Sequence, residues 1–195
     1  MLNTFLNLAV RTVSEPRKVA AELLQLQIER RTLWIALALA VVLNTIAYQI
    51  SLVLAPPPGP MPVFFSSPII FAVLIGAGLV MSVFSITYAG RFIGGKARLE
   101  GVMTLLIWLQ YLRFAVQLAT VLLLPIIPGL VALLVLGATF YGMWILLQFI
   151  DVVHEFDSLF SSFGALVLAA LGIMLGLAIL LSFFGVQNLG LTPYV

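Results

Sequence analysis

The strongest constraint on this chain is how far it runs without a charge. Five apolar runs, roughly 32–54, 68–90, 101–124, 129–150 and 159–184, carry a single charged residue among them, Arg113. Each is longer than the 18 or so residues that cross a bilayer. At about 1.5 Å per residue each reaches across a hydrocarbon core of about 30 Å. Lipid offers no water to a bare amide, so such runs must be helices that make their backbone bonds internally. None alternates as a barrel strand would. Charged residues make up 8% of the chain and hydrophobic ones 63%, whereas a soluble domain carries about 25% charged residues. The fold class is an all-α integral membrane protein. Five transmembrane helices occupy 32–195, preceded by a cytoplasmic amphipathic N-terminal helix within 1–31.

The connections are short. Residues 55–62, "APPPGPMP", are too rich in proline to be helical, and 125–129, "PIIPG", read as a tight hairpin. No loop is long enough for a soluble domain. The chain has no cysteine, so disulfides and thiolate metal sites are excluded. Its start, "MLNTFLNLAVRTVSEPRK", lacks a basic region ahead of an apolar core and a small-residue cleavage site, and is not expected to be a signal peptide.

Orientation follows from the basic residues. Arg11, Arg17, Lys18, Arg30 and Arg31 precede the first run; Arg91, Lys96 and Arg98 separate the second from the third. With five spans these regions share one side, joined by a loop at 151–158. That side also holds every acid: Glu15, Glu22, Glu29, Glu100, Asp151, Glu155 and Asp157. Basic loops stay cytoplasmic, so the N-terminus is expected in the cytoplasm and the C-terminus outside.

On the charged side, "SEPRKVAAELLQLQIERR" reads as one helix before the first span. Ser14 would cap it, Pro16 sits in its first turn, and Val19, Ala20, Leu23, Leu24, Leu26 and Ile28 line one side. It is expected to pack on the base of the bundle or lie on the membrane, where its basic flanks favour anionic lipid headgroups. A dedicated partner-binding helix is the alternative. In "DVVHEFDS", Asp151, His154 and Glu155 are spaced to share a helical face. Bundle metal sites need such a Glu-x-x-His pair twice, and the chain has one histidine. A polar helix end facing "RFIGGKARLEG" is therefore expected, with Arg91, Lys96 and Arg98 pairing with Asp151, Glu155 and Asp157. No metal or other cofactor is expected.

Inside the membrane, Gln110, Arg113 and Gln117 follow i, i+3, i+7, with Thr120 a turn beyond. Asn44, Tyr48 and Ser51 make a second stripe in the first span, at matching depth. A charge at the bilayer centre costs roughly 2.5–3.5 kcal/mol on insertion scales. A guanidinium has five donors and no acceptor, so Arg113 is expected to take oxygens from Asn44, Tyr48, Gln110 and Gln117. Two readings stay open: a buried arginine tying two helices together, or a contact for an anion or lipid headgroup. Ala165, Ala169, Gly172 and Gly176 form a small-residue face on the fifth run. Such a face lets another helix approach closely, in this chain or in a second copy.

No nucleophile elbow, zinc helix or phosphate loop is present, so an enzyme is not expected, nor a nucleic-acid partner. What remains is a scaffold or accessory factor for partner membrane proteins or lipids. A small channel or transporter subunit using the polar stripes is the alternative.

The segments "TVSEPRKVAAELLQLQ", "GGKARLEGVMTLLIWLQYLRFAVQ" and "WILLQFIDVVHEFDSLFSSFGALVLA" resemble the Yip domain family of Ypt-interacting proteins in its bacterial form. In that family a basic Gly-Gly segment opens the third span, and a helix ending near a histidine precedes the last. The resemblance implies five membrane helices with a cytoplasmic N-terminus. Eukaryotic members work with Rab-type GTPases through a long N-terminal region carrying an Asp-Leu-Tyr-Gly-Pro motif. That motif is missing here, so GTPase binding is not implied.

Overall fold

The computed structural model describes residues 2–57, 59, 61–124 and 126–184. Among them the regular structure is all helical: α1 (Leu2–Ser14), α2 (Pro16–Gln25), α3 (Arg30–Leu54), α4 (Val63–Ser66), α5 (Pro68–Phe92), α6 (Leu99–Leu123), α7 (Pro128–His154) and α8 (Leu159–Phe184). Five of these, α3, α5, α6, α7 and α8, are long and apolar enough to cross a membrane. Proline sits in the first turn of α2, α5 and α7, where its missing N–H leaves no bond unmade. The expected C-terminal end outside the membrane falls on 185–195, beyond the described residues.

The N-terminal segment is two helices rather than one. α1 lies in a stretch with no assigned structure in the sequence reading, and α2 stops at Gln25 because Gln27 takes φ 43 before α3 begins. Ser14 does not cap α2; its hydroxyl turns back onto the Val10 and Arg11 carbonyls of α1, and Glu15 takes the cap position without a side-chain bond. Val19, Ala20 and Leu23 are buried as the apolar pattern requires, while Leu26 is exposed beyond the helix end.

The spans form a ring of neighbours. α3 lies along α6, α6 against α7, α7 against α8, and α8 against α5, which returns to α3; α5 also reaches α6. Packing is uneven along the bundle. Buried residues gather near the charged end: 33–47 in α3, 83–90 in α5, 102–108 in α6, 145–154 in α7 and 162–169 in α8. In α6 no residue from 109 to 119 is buried. Toward the other end the helices show large apolar side chains to their surroundings, among them Leu133, Phe140, Leu171 and Met174. Acyl chains can cover such surface, because lipid is as apolar as leucine.

Two helix ends at the charged face are built alike. After α5 the Gly95 N–H donates to Gly90 O (2.8 Å) and the Gly94 N–H to Arg91 O (3.0 Å). After α7 the Phe156 N–H donates to Asp151 O (3.1 Å) and the Glu155 N–H to Val152 O (3.4 Å). Both are Schellman ends, which require one left-handed residue. α5 supplies Gly94, at φ 99, whereas α7 supplies Glu155, at φ 57. α7 thus runs on through Asp151 and His154, and the loop expected at 151–158 is shorter than its sequence suggests. A side chain in the left-handed region costs about 1–2 kcal/mol, and the exposed Glu155–Lys96 ion pair returns less than about 1. Glu155→Gly is therefore expected to stabilise the protein by about 1 kcal/mol, seen as a higher thermal unfolding midpoint in detergent.

Candidate functional site

The two intramembrane stripes meet, as a seam between α3 and α6. Asn44 is buried, and its Nδ2 donates to Ala40 O (2.8 Å) and across to Gln110 O (3.2 Å). Two turns further out Gln117 Nε2 donates to Ser51 Oγ (3.3 Å). Both cross-links span 66 residues, so the helices run parallel and in register. Tyr111 OH donates to Ala36 O (3.1 Å), and Tyr48 stacks on Phe71 of α5 at 4.0 Å between ring centroids.

Arg113 is not part of this seam, contrary to the expectation that Asn44, Tyr48, Gln110 and Gln117 would surround it. It is exposed, and none of the four hydrogen-bonds to it. Helical phase explains the difference. α3 packs on the side of α6 that carries Met103 and Ile107, and at about 100° per residue Arg113 points about 120° away from Ile107. The acceptor that α3 uses at Gln110 is the backbone carbonyl. Nor does the seam form a passage. The crevices beneath Arg113, one lined by Leu37, Ala40, Leu79, Val83 and Gln110 and the other by Ile86, Val102, Phe149 and Ile150, have room for no more than about one water.

The charged end is more tightly organised. His154 is fully buried, its ring stacked on Phe156 at 5.0 Å between centroids. Its Nδ1 lies 3.1 Å from Ile150 O; as a hydrogen bond this puts the proton on Nδ1 and leaves Nε2, also buried, without a partner. The ring fills the space that two side chains would need. A Cβ at Gly90 would lie 1.9 Å from His154 Nε2, and one at Gly95 2.5 Å from its Cδ2. The backbone joins the same junction, with the Lys96 N–H donating to His154 O (3.1 Å).

The polar residues around this junction divide into three kinds. Lys96 and Glu155 form the expected ion pair at 3.1 Å, exposed on both sides. Arg91 instead donates from Nε to Ala97 O (2.8 Å) and lies over the Tyr88 ring, while Arg98 occupies the N-cap of α6 and Asp157 is exposed at φ 54. Asp151 is buried and its partner comes from elsewhere. Arg17 of α2 pairs with Oδ2, the Ser158 N–H donates to Oδ1 (2.9 Å), and Ser162 Oγ donates to Oδ1 (3.4 Å). Asp151, His154 and Glu155 therefore do not act as one face: two are buried in separate contacts and the third faces out. Among the described residues no three His, Asp or Glu side chains gather as metal ligands would.

The contacts that sequence reasoning missed belong to α1. Thr12 is fully buried; its hydroxyl donates to Leu8 O (2.7 Å) and accepts from Trp108 Nε1 (3.0 Å). Phe5 meets the Trp108 ring edge-on at 5.3 Å, and Tyr141 OH donates to Val13 O (2.5 Å). α1 and α2 thus form a hairpin strapped across α6 and α7, closed by ion pairs Arg11–Glu22 and Lys18–Glu15. Phe5, Leu8 and Thr12 follow a helical spacing that could have announced one docked face. The small-residue face of α8 splits in two. Ala165 and Ala169 are buried in the core, while Gly172 and Gly176 are exposed; a Cβ at Gly172 would meet nothing within 4 Å.

A family model described as the Yip1 domain matches residues 10–184. No curated protein and no solved structure matches the chain.

Two sets of substitutions test the junction. Gly90→Ala is expected to cost about 2–3 kcal/mol by overpacking, and less in a His154→Ala background than in the wild type. Thermal unfolding of the four proteins of that cycle gives the coupling. Arg17→Ala strands a buried carboxylate and is expected to cost about 2–3 kcal/mol, below the full cost of breaking a buried pair because Arg17 is itself half exposed. Adding Asp151→Asn should recover most of that loss in the same measurement.

Proposed function

The chain belongs to the Yip1 domain family, and from that premise we propose that it is a non-catalytic scaffold or accessory factor for partner membrane proteins or lipids. On this reading it sits in a bacterial inner membrane with its charged end in the cytoplasm and its C-terminus outside. The orientation rests on the clustering of basic residues at one end of the spans. The absence of a nucleophile, metal or phosphate-binding motif speaks for a binding role over a reaction.

The observation that carries the reading is the unequal use of small residues. Ala165 and Ala169 of α8 seat it against the rest of the chain, yet Gly172, one turn further along that face, has no neighbour within 4 Å of an added Cβ. Gly137 and Gly142 of α7 are equally open. A glycine inside a helix costs about 1 kcal/mol relative to alanine, and among the described residues no close helix contact offsets it at these positions. Another membrane helix, from a partner or a second copy, would do so.

Affinity purification from the native membrane, followed by mass spectrometry of what co-purifies, tests the proposal. Gly172→Leu is expected to leave the thermal midpoint of the isolated protein unchanged or raised, because its site is open and leucine favours the helix. The same variant is expected to lose partners that the wild type retains. A wild type that always emerges alone, without protein or lipid, defeats the proposal.

A further inference from the structure

Arg113 is the one charge in the five apolar runs, and the seam built at its depth leaves it out. All eight other basic residues lie at the charged end. Four of them hold ion pairs, Arg11, Arg17, Lys18 and Lys96, and Arg91 holds a carbonyl. Arg113 has no hydrogen bond or ion pair among the described residues and is exposed.

Its direction can be read from the residue two turns before it. Leu106 lines both crevices, the one between α3, α5 and α6 and the one between α5, α6 and α7. It therefore points from α6 toward α5, into the bundle. Arg113 is seven residues on, within about 20° of the same direction, so it too faces inward. At the level of Leu106 that interior is filled by Val83, Ile86 and Phe149, a packed floor; from 109 to 119 the α6 side chains are half-buried except Arg113 and Leu118, which are exposed. By helical rise it lies about 21 Å from Leu99 and about 15 Å from Leu123. Its side chain leans toward the N-terminus of α6, back onto that floor.

We propose that Arg113 anchors an oxyanion site, taking a phosphate group on the side of α6 that faces α5. A guanidinium needs oxygens, and its planar donors match phosphate in two parallel bonds. On α3 at this depth Asn44 and Ser51 are engaged in the seam. The phosphate comes either from the headgroup of an anionic phospholipid or from free phosphate. The proposal deepens the lipid branch of the scaffold reading and rests on it only for membrane placement. Its failure would leave co-purification of protein partners as a separate readout.

The test uses the full chain in neutral detergent, with native mass spectrometry after adding dioleoyl phosphatidylglycerol or dioleoyl phosphatidylcholine. The wild type is expected to retain phosphatidylglycerol in preference. Arg113→Gln should weaken that binding about tenfold or more, as loss of hydrogen bonds to a charged group does, and Arg113→Lys should keep part of it. Displacement by millimolar inorganic phosphate would assign the site to a free oxyanion; retention would assign it to the lipid. Equal binding of the two lipids by the wild type overturns the proposal. So does unchanged phosphatidylglycerol binding in an Arg113→Gln protein whose circular dichroism and thermal midpoint match the wild type. Should Arg113→Gln fail to fold, the Arg113→Lys protein decides the question, partial loss of phosphatidylglycerol supporting the proposal and unchanged binding overturning it.

Discussion

The close approach of α5 and α7 at the His154 ring is the contact on which the charged end depends. It is possible because Gly90 and Gly95 present no Cβ to the ring, and because the Schellman turn at Gly94 brings Gly95 round to it. Everything else at that end is placed by this junction. The Lys96 N–H on His154 O fixes the loop that leads into α6. The continuation of α7 as helix to His154 positions Asp151 one turn earlier, where Arg17 and the start of α8 can reach it. Through Arg17 the α1–α2 hairpin is drawn over α6 and α7, and Trp108 and Tyr141 then complete its docking.

The buried Nε2 of His154 is the cost of this arrangement, since a polar atom without a partner loses hydration and gains nothing in return. The compensation is geometric. A flat ring between two glycines and Phe156 lets two helix ends and a loop meet with few voids, which is where dispersion contacts accumulate. In a bilayer this matters more than in water, because burial of apolar surface gives helices no advantage over lipid and close packing must supply the specificity. The core therefore concentrates where the glycines and the turns are, and the far halves of the helices are left to the acyl chains.

Much of this was legible in the sequence. Long uncharged runs can satisfy lipid only as helices, so all five spans follow from composition and spacing, as does the matching depth of the two polar stripes, although Asn44 lies level with Gln110 rather than with Arg113. The Gly-Gly segment and the histidine were visible as separate motifs; their meeting was not, because only the fold brings residue 90 to residue 154. Asp151 was expected to pair with its nearest basic loop and instead pairs with Arg17, 134 positions away. α1 is strongly amphipathic, yet its docking was not legible, because it turns on Thr12 meeting Trp108, 96 positions away. The partners of Arg113 were misjudged for a related reason. Shared depth on two helices does not fix which way a side chain turns, and a rotation of about 120° separates a bond from open space.

That rotation alters what the arginine means for the fold. A charge inside a packed seam would hold two helices together, and its removal would weaken them. Arg113 instead occupies the stretch of α6 where packing has given way, while Asn44, Tyr111 and Gln117 join α3 to α6 without it. The energy of burying a charge at this depth, roughly 2.5–3.5 kcal/mol, is then not offset by any contact within the described chain. On α8 the small-residue face is filled at Ala165 and Ala169 and vacant at Gly172. The unmet charge and the unfilled helix face thus both lie beyond the His154 junction, in the half of the bundle where the chain has surface to offer to something other than itself.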